Sequence, residues 1–325
     1  MRPLKLVPDN TNIPFLSYRF WAMGFSILLI VGSLALVAIK GFNFGIDFQG
    51  GQVIRVSFQQ PVQVDDLRGK LTALGHEDAT IQQFGGGNEV TIRTQLPDDK
   101  SDSAADAAAT KLRNDIQKSY PTAKVGGVES VSGKVSKELY STGTKALVFA
   151  MIGIALYIWL RFEWQFGVGA LFALFHDVAL TLGFFALTQL EFDLNVVAAI
   201  LTIIGYSLND TIVVYDRIRE NMRKYRKMDI AALLDLSINE TLSRTMVTSL
   251  SIGIVLAILV VLGPEVIFGF SAAMLLGIVI GTFSSVYVSA AILLWLKVVP
   301  DSFVPKTDGG HKGGERTSKA EQILD

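Results

Sequence analysis

Asn209 and Asp210 stand side by side inside an apolar run, "AAILTIIGYSLNDTIVVYDRIRE" (198–220). A carboxylate on the bilayer-buried part of a helix costs roughly 3 kcal/mol or more, so an intramembrane acid is a functional hypothesis by default. A second one, Asp177, lies with His176 near the midpoint of another apolar run, 164–190, whose only titratable groups they are. Arg244 opens a further run, "RTMVTS", with Thr248 one turn on. The chemistry these types can do is proton binding. Desolvation favours the neutral carboxyl, and a nearby arginine favours the charged one. Arginine is suited to the second role because its own charge is effectively permanent. Asp210 can therefore take a proton when Arg244 is distant and release it when Arg244 approaches, the working element of a proton-driven transporter. Two plainer readings stand beside this one. Asp210 can be a packing residue bonded to nearby serines and threonines, or half of a permanent ion pair with Arg244. For His176 and Asp177 the choice is between relay and packing. Neighbouring residues point about 100° apart on a helix, so both are not expected to face one partner.

The elements that must hold these groups are membrane helices. The 325-residue chain is 50% hydrophobic and 18% charged, with net charge −1, so no overall field points to nucleic acid. It has no cysteine, which excludes disulfides and thiolate metal sites, and its three histidines (His76, His176, His311) make a zinc site improbable. No cofactor and no metal are expected. Residues 20–39 form an uncharged run long enough to cross the hydrocarbon core and too long for a secretory signal. Five further spans are expected at 144–160, 164–190, 194–215, 245–264 and 266–296. Lys145 and Arg161 at the ends of the second would snorkel. Basic residues flank one side: Arg2, Lys5 and Arg19, then Arg161, then Arg217 to Lys227, while "QLEFD" (189–193) and "GPE" (263–265) carry none. The positive-inside rule puts both termini in the cytoplasm and residues 41–138 outside.

The external block reads as one small domain. "GGQVIRVSF" alternates Ile54, Val56 and Phe58 against Arg55 and Ser57, a half-buried strand. "PVQVDDLRGKLTALG" puts Val64, Leu67, Leu71 and Leu74 on one helical face and stops at Gly75. "ATIQQF" and "EVTIRTQ" flank "GGGN" as a hairpin; 102–119 repeats Ala108, Leu112 and Ile116 as a second helix; "AKVGGVESV" closes as a strand. The order β-α-β-β-α-β is the ferredoxin-like split motif. It holds no catalytic or metal cluster, which favours a rigid binding or lever domain. The expected organisation is a cytoplasmic N-terminus at 1–19, a first helix at 20–40, the external domain at 41–138, helices two to six at 139–299 with a basic loop at 216–244, and a disordered tail at 300–325. In the sixth run Ala273, Gly277, Gly281, Ser285 and Ser289 recur every fourth residue, a small-residue stripe that permits close helix packing.

"NFGIDFQGG" (43–51), "RFEW" (161–164), "FHD" (175–177), "GYSLNDTIVVYDRIREN" (205–221) and "SRTMVTS" (243–249) together resemble the SecD/SecF family of bacterial protein-export membrane proteins, in the resistance–nodulation–division superfamily. The resemblance runs from about residue 15 to 300. It implies six spans with an external domain after the first, a SecD partner, and work beside a SecY-containing channel on a translocating unfolded polypeptide, with other accessory subunits in reach and no nucleic acid. It also implies use of an ion-motive force, with H⁺ as the coupling ion and Na⁺ as the alternative, at the cytoplasmic (inner) membrane. The family's coupling aspartate falls on Asp210, its arginine on Arg244 and the accompanying asparagine on Asn209. Its glycine motif falls on Gly45, Asp47, Gly50 and Gly51. Two departures are "SVSGKVSKEL" (130–139), which lacks the family's proline before the second span, and Gln49 in place of threonine. A passive scaffold needs no carboxylate at membrane depth, a stand-alone small-molecule exporter needs two halves in one chain, and an intramembrane hydrolase needs two carboxylates facing each other or a serine with a base.

Overall fold

The computed structural model describes residues 8, 11–84, 87–96 and 102–298. The basic residues at positions 2 and 5, His311 and the tail expected to be disordered fall outside the described residues. Ten α-helices occur among the described residues: α1 (Arg19–Lys40), α2 (Ile46–Gln49), α3 (Val64–Ala73), α4 (Asp102–Ser119), α5 (Gly133–Arg161), α6 (Trp164–Thr188), α7 (Leu194–Lys224), α8 (Ile230–Leu262), α9 (Phe268–Phe283) and α10 (Ser289–Trp295). A π-helical turn, Ser284–Val288, joins the last two. The strands are β1 (Asn43–Phe44), β2 (Gly51–Ser57), β3 (Thr80–Phe84), β4 (Glu89–Thr94), β5 (Lys124–Val131) and β6 (Glu191–Phe192).

Six helical segments are long and apolar enough to cross a membrane: Phe15–Lys40, Gly133–Arg161, Trp164–Thr188, Leu194–Lys224, Ile230–Leu262 and Glu265–Trp295. The count agrees with the hydropathy reading, but the bounds do not. α5 begins eleven residues before the expected span, α7 runs nine beyond it and α8 starts fifteen before it. Most of the stretch read as a basic loop, 216–244, is thus helix, broken only around residues 225–229. Hydropathy marks where a helix meets lipid, whereas backbone hydrogen bonds continue into water while side chains support them. Arg217 and Asn221 of α7 do so by both bonding Glu240 of α8, at 2.7 and 2.6 Å.

α6 and α7 form the centre of the bundle, with α1, α9 and α8 around them. α1 crosses α6 where Gly183 meets Ser33 with no room for a side chain. α9 crosses α7 the same way, Gly277 lying against Ile203 and Gly281 against Ser207. Small residues let backbones approach where lipid tails supply no hydrophobic drive. The outward faces of α1, α5 and α8 are apolar and exposed, from Trp21 to Trp159 and Leu262.

Outside the helical bundle, and external only in that sense, lies a four-stranded sheet in the order β3-β4-β2-β5, every neighbour antiparallel. α3 and α4 cover one face, burying Leu67, Leu71, Leu112 and Ile116 against Ile54, Val56, Val90 and Ile92. Sequence alternation predicts a solvated opposite face. Instead, Val53 is buried there, because that face rests on the bundle loops that carry Glu191 and Glu265. Arg93 pairs with Glu191 at 2.8 Å, and Thr91 donates to Glu265 at 3.0 Å. The loop read as "QLEFD" also contributes β6, which pairs in parallel with β1. Two-residue strands carry no legible period, so this clasp had no sequence signal.

Candidate functional site

α7 brings Asp210 into the bundle at 8% exposure. Thr245 Oγ1 of α8 donates to its Oδ1 at 2.6 Å, and Ser285 Oγ of the π turn donates to its Oδ2 at 2.7 Å. The carboxylate of α7 is therefore held by two other helical segments, each supplying one hydroxyl. Ser285, expected only to pack, is a direct ligand of Asp210. Gly277 and Gly281, two turns and one turn before it, set the α7–α9 approach that puts it there.

The permanent ion pair of Asp210 with Arg244, one of the two plainer readings, is not formed among the described residues. Consecutive helical residues diverge by about 100°. With Thr245 turned inward to Asp210, Arg244 is turned outward and exposed. The same divergence leaves Asn209 exposed beside Asp210. Thr248 bonds its own helix, at the Arg244 carbonyl, and takes no part. The permanent ion pair is thereby removed as an explanation of Asp210.

A second centre lies on α6. Asp177 is fully buried and accepts from Ser207 of α7 and from Ser284 of the π turn, the latter at 2.9 Å. His176 Nδ1 is 2.9 Å from Asp177 Oδ1. The two side chains bond each other and otherwise face different groups, Asp177 the hydroxyls of Ser207 and Ser284 and His176 the ring of Phe283. His176 stacks on Phe283, and its Nε2 is buried without a hydrogen-bond partner among the described residues. Ser207 is one turn before Asp210 on α7, so the two centres share a helix face as well as the π turn. Thr245, Ser207 and Ser284 were missed because serine and threonine are common in membrane helices. Their role depends on which helices meet.

The glycine motif forms the joint between the external sheet and the bundle. A side chain on Gly45 would strike Glu191 Oε1 at 2.8 Å, and Asp47 Oδ2 accepts from the first N–H of α7, at Leu194, at 3.0 Å. Gly50 and Gly51 have φ of +75° and +120°, and a side chain on Gly51 would lie 2.7 Å from the Thr94 carbonyl. Only glycine meets both demands. Two acids at this joint, Glu191 and Asp193, have pKa values raised by burial; Arg93 beside Glu191 and the Val196 N–H beside Asp193 offset part of the shift.

Six apolar helical segments, a small α/β unit between the first two and two buried carboxylate centres describe a polytopic membrane protein with acids held inside its helical bundle. Comparison with known proteins makes the assignment specific. Residues 111–299 match the model of the family "Protein export membrane protein SecD/SecF, C-terminal", and residues 35–62 match the "SecD/SecF GG Motif". The chain is 44% identical over 287 residues to the protein translocase subunit SecF of Desulfurispirillum indicum, covering 87% of this chain and 91% of that protein. It is 41% identical over 292 residues to the SecF of Rickettsia rickettsii, covering 90% and 94%. Among solved structures it resembles SecDF of Thermus thermophilus, described as a translocon-associated membrane protein, with a TM-score of 0.81 and 35% identity. A SecDF structure in a super-membrane-facing form gives 0.67 and 34%. In both, 91% of this chain matches 40% of a longer chain. The chain belongs to the SecF family of protein translocase subunits and is a multi-pass accessory component of Sec protein export.

Proposed function

We propose that this subunit uses the proton-motive force, together with a SecD partner, to promote late translocation and release of polypeptides across the bacterial inner membrane beside a SecY-containing channel. Both termini face the cytoplasm, and the unit at 41–138 is a periplasmic ferredoxin-like domain. The strand order and the two helices on one face support that description. The domain grips and releases an emerging unfolded chain. Protonation of Asp210 drives the change, and Asp177 with His176 serves as relay.

One observation carries this reading. Asp210 is buried between helices and bonded by two hydroxyls, with no cation bonded to it among the described residues. A permanently ionised carboxylate at that depth calls for a counter-charge. A carboxyl that gains and loses a proton needs only groups that can serve both forms, and hydroxyls donate or accept. Arg244 and Asn209, exposed on the outer face, supply polar contacts for the partner. The SecDF neighbours, in which this chain matches 40% of a longer one, favour SecD in that place. The coupling ion in this reading is H⁺, since hydroxyls serve both the neutral and the charged carboxyl.

The test is gradient-stimulated export of a model preprotein in membrane vesicles carrying Asp210→Asn, with assembly checked in parallel. Assembly retained and stimulation lost supports the reading. Stimulation unchanged replaces it with a scaffold role.

A further inference from the structure

Ser284 and Ser285 are consecutive, yet their hydroxyls serve carboxylates on different helices. Ser284 Oγ lies 2.9 Å from Asp177 Oδ2 and 3.1 Å from the carbonyl of Gly281. Ser285 Oγ lies 2.7 Å from Asp210 Oδ2 and 3.1 Å from the carbonyl of Thr282. A hydroxyl has one proton to give, so each serine has two acceptors for one donor. An ionised carboxylate wins that competition because charge-assisted bonds are about twice as strong as neutral ones. Once the carboxyl is protonated, the advantage is gone and the serine proton can turn to the carbonyl three residues back. Both choices are made at the start of one π turn, a backbone irregularity that concentrates at functional sites.

The state of His176 follows from its neighbours. An ionised Asp177 can only accept, so beside it Nδ1–H is the donor to Oδ1, and Nε2 is buried with no partner among the described residues. An imidazolium would bury an unpaired, charged N–H, whereas the neutral ring leaves only an unshared lone pair, the cheaper state. Nε2 is therefore an open proton acceptor.

We propose that His176 and Asp177 form a second proton-binding centre, coupled to Asp210 through the paired serines of the π turn, so that one subunit takes up two protons per cycle. This rests on the proton reading of Asp210 and deepens it. A proton arriving at Nε2 bonds to the lone pair there. The Nδ1–H bond breaks as its proton passes to Asp177 Oδ1. The products are a neutral imidazole protonated on Nε2 and a protonated Asp177. Ser284 then turns to the Gly281 carbonyl, which alters the turn presenting Ser285 to Asp210.

Among the described residues, the titratable groups in this centre are His176 on α6 and, across α7, Asp210. On the surrounding elements, Arg244 of α8 is exposed, Tyr206 of α7 lies 3.0 Å from Ser249 Oγ, and others are engaged elsewhere. Arg19 and Lys40 of α1 bond the carbonyls of Leu16 and Leu187. Arg161 of α5 pairs with Asp216, Tyr215 of α7 packs on Phe162 and Phe166, and Tyr287 of the π turn packs on Phe15 and Phe283.

The experiment is infrared difference spectroscopy of the carboxylic C=O stretch across pH, on the subunit reconstituted with its SecD partner in liposomes. The expected result is two titrating bands, one absent in Asp177→Asn and the other in Asp210→Asn, each displaced in the other variant. Proton uptake in a pH jump falls by one per subunit in Asp177→Asn. Ser284→Ala, which deletes one hydroxyl and keeps both acids, covers the case in which Asp177→Asn fails to assemble. It displaces both bands, and Ser284→Thr restores them. One titrating band, absent in Asp210→Asn and unmoved by Asp177→Asn or Ser284→Ala, overturns the second centre and leaves the first standing. No titrating band assignable to either residue overturns both.

Discussion

Gly277→Ala tests whether helix approach sets the Asp210 site. A β-carbon there would lie 2.6 Å from Ile203 Cδ1 and 2.9 Å from Cγ2, and closer still to Cγ1. Ordinary contact begins at 3.4 Å, and two of these atoms branch from the Ile203 β-carbon, so no single rotation clears them. α9 must move away from α7 by nearly an ångström. Ser285 lies two turns further along the same face, and its 2.7 Å bond to Asp210 stretches by a similar amount, out of hydrogen-bonding range. Overpacking of this kind costs about 1–3 kcal/mol. Ile203→Ala removes all three clashing atoms and by itself opens a cavity costing about 2–5 kcal/mol. In Gly277→Ala/Ile203→Ala the new methyl enters that space, so the double variant is less destabilised than the sum of the singles, by about 0.5–3 kcal/mol. The assays are denaturant unfolding in detergent micelles and gradient-stimulated export of the four proteins. Export falls in Gly277→Ala and recovers in the double variant. A Gly277→Ala protein of unchanged stability and export, or strict additivity with Ile203→Ala, refutes the argument that this crossing positions the carboxylate.

Two further outcomes concern the joint between sheet and bundle. Glu191 and Asp193 have folded-state pKa values raised above the ordinary 4.5 and 3.8. Their contribution to stability is therefore complete below those ordinary values and is lost as pH rises through the raised ones. Thermal stability should decline across that acidic-to-neutral window, and Glu191→Gln should flatten the decline in a melting series; an unchanged slope rejects the assignment. Gly51→Ala places a methyl against the Thr94 carbonyl at a φ that disfavours side chains, and should destabilise the external unit by more than 1 kcal/mol. Hydrogen exchange should show the loss in β2 and β4 first, whereas a uniform change along the chain speaks against a local strain.

The sequence alone determined the class of this protein. Twenty-residue apolar runs have few solutions in water or lipid, so six membrane helices were legible from composition along the chain. The two helices and four strands of the external unit followed from periods of 3.6 and 2, and their observed bounds agree to within a few residues. Asp210 and Asp177 stood out because charge in an apolar run is rare. The partners of those acids were decided only by the tertiary structure. Whether Arg244 or Thr245 reaches Asp210 depends on the rotation of α8 about its axis, and a turn of one residue exchanges them. Ser284 and Ser285 acquire roles only where a π turn, invisible to hydropathy, aims adjacent hydroxyls at two helices. The sheet's second face was likewise unreadable, because its burial comes from loops 98 and 174 residues away along the chain, at Glu191 and Glu265. Local patterns fix which segments leave water; the meeting of segments distant in the chain fixes which atoms touch.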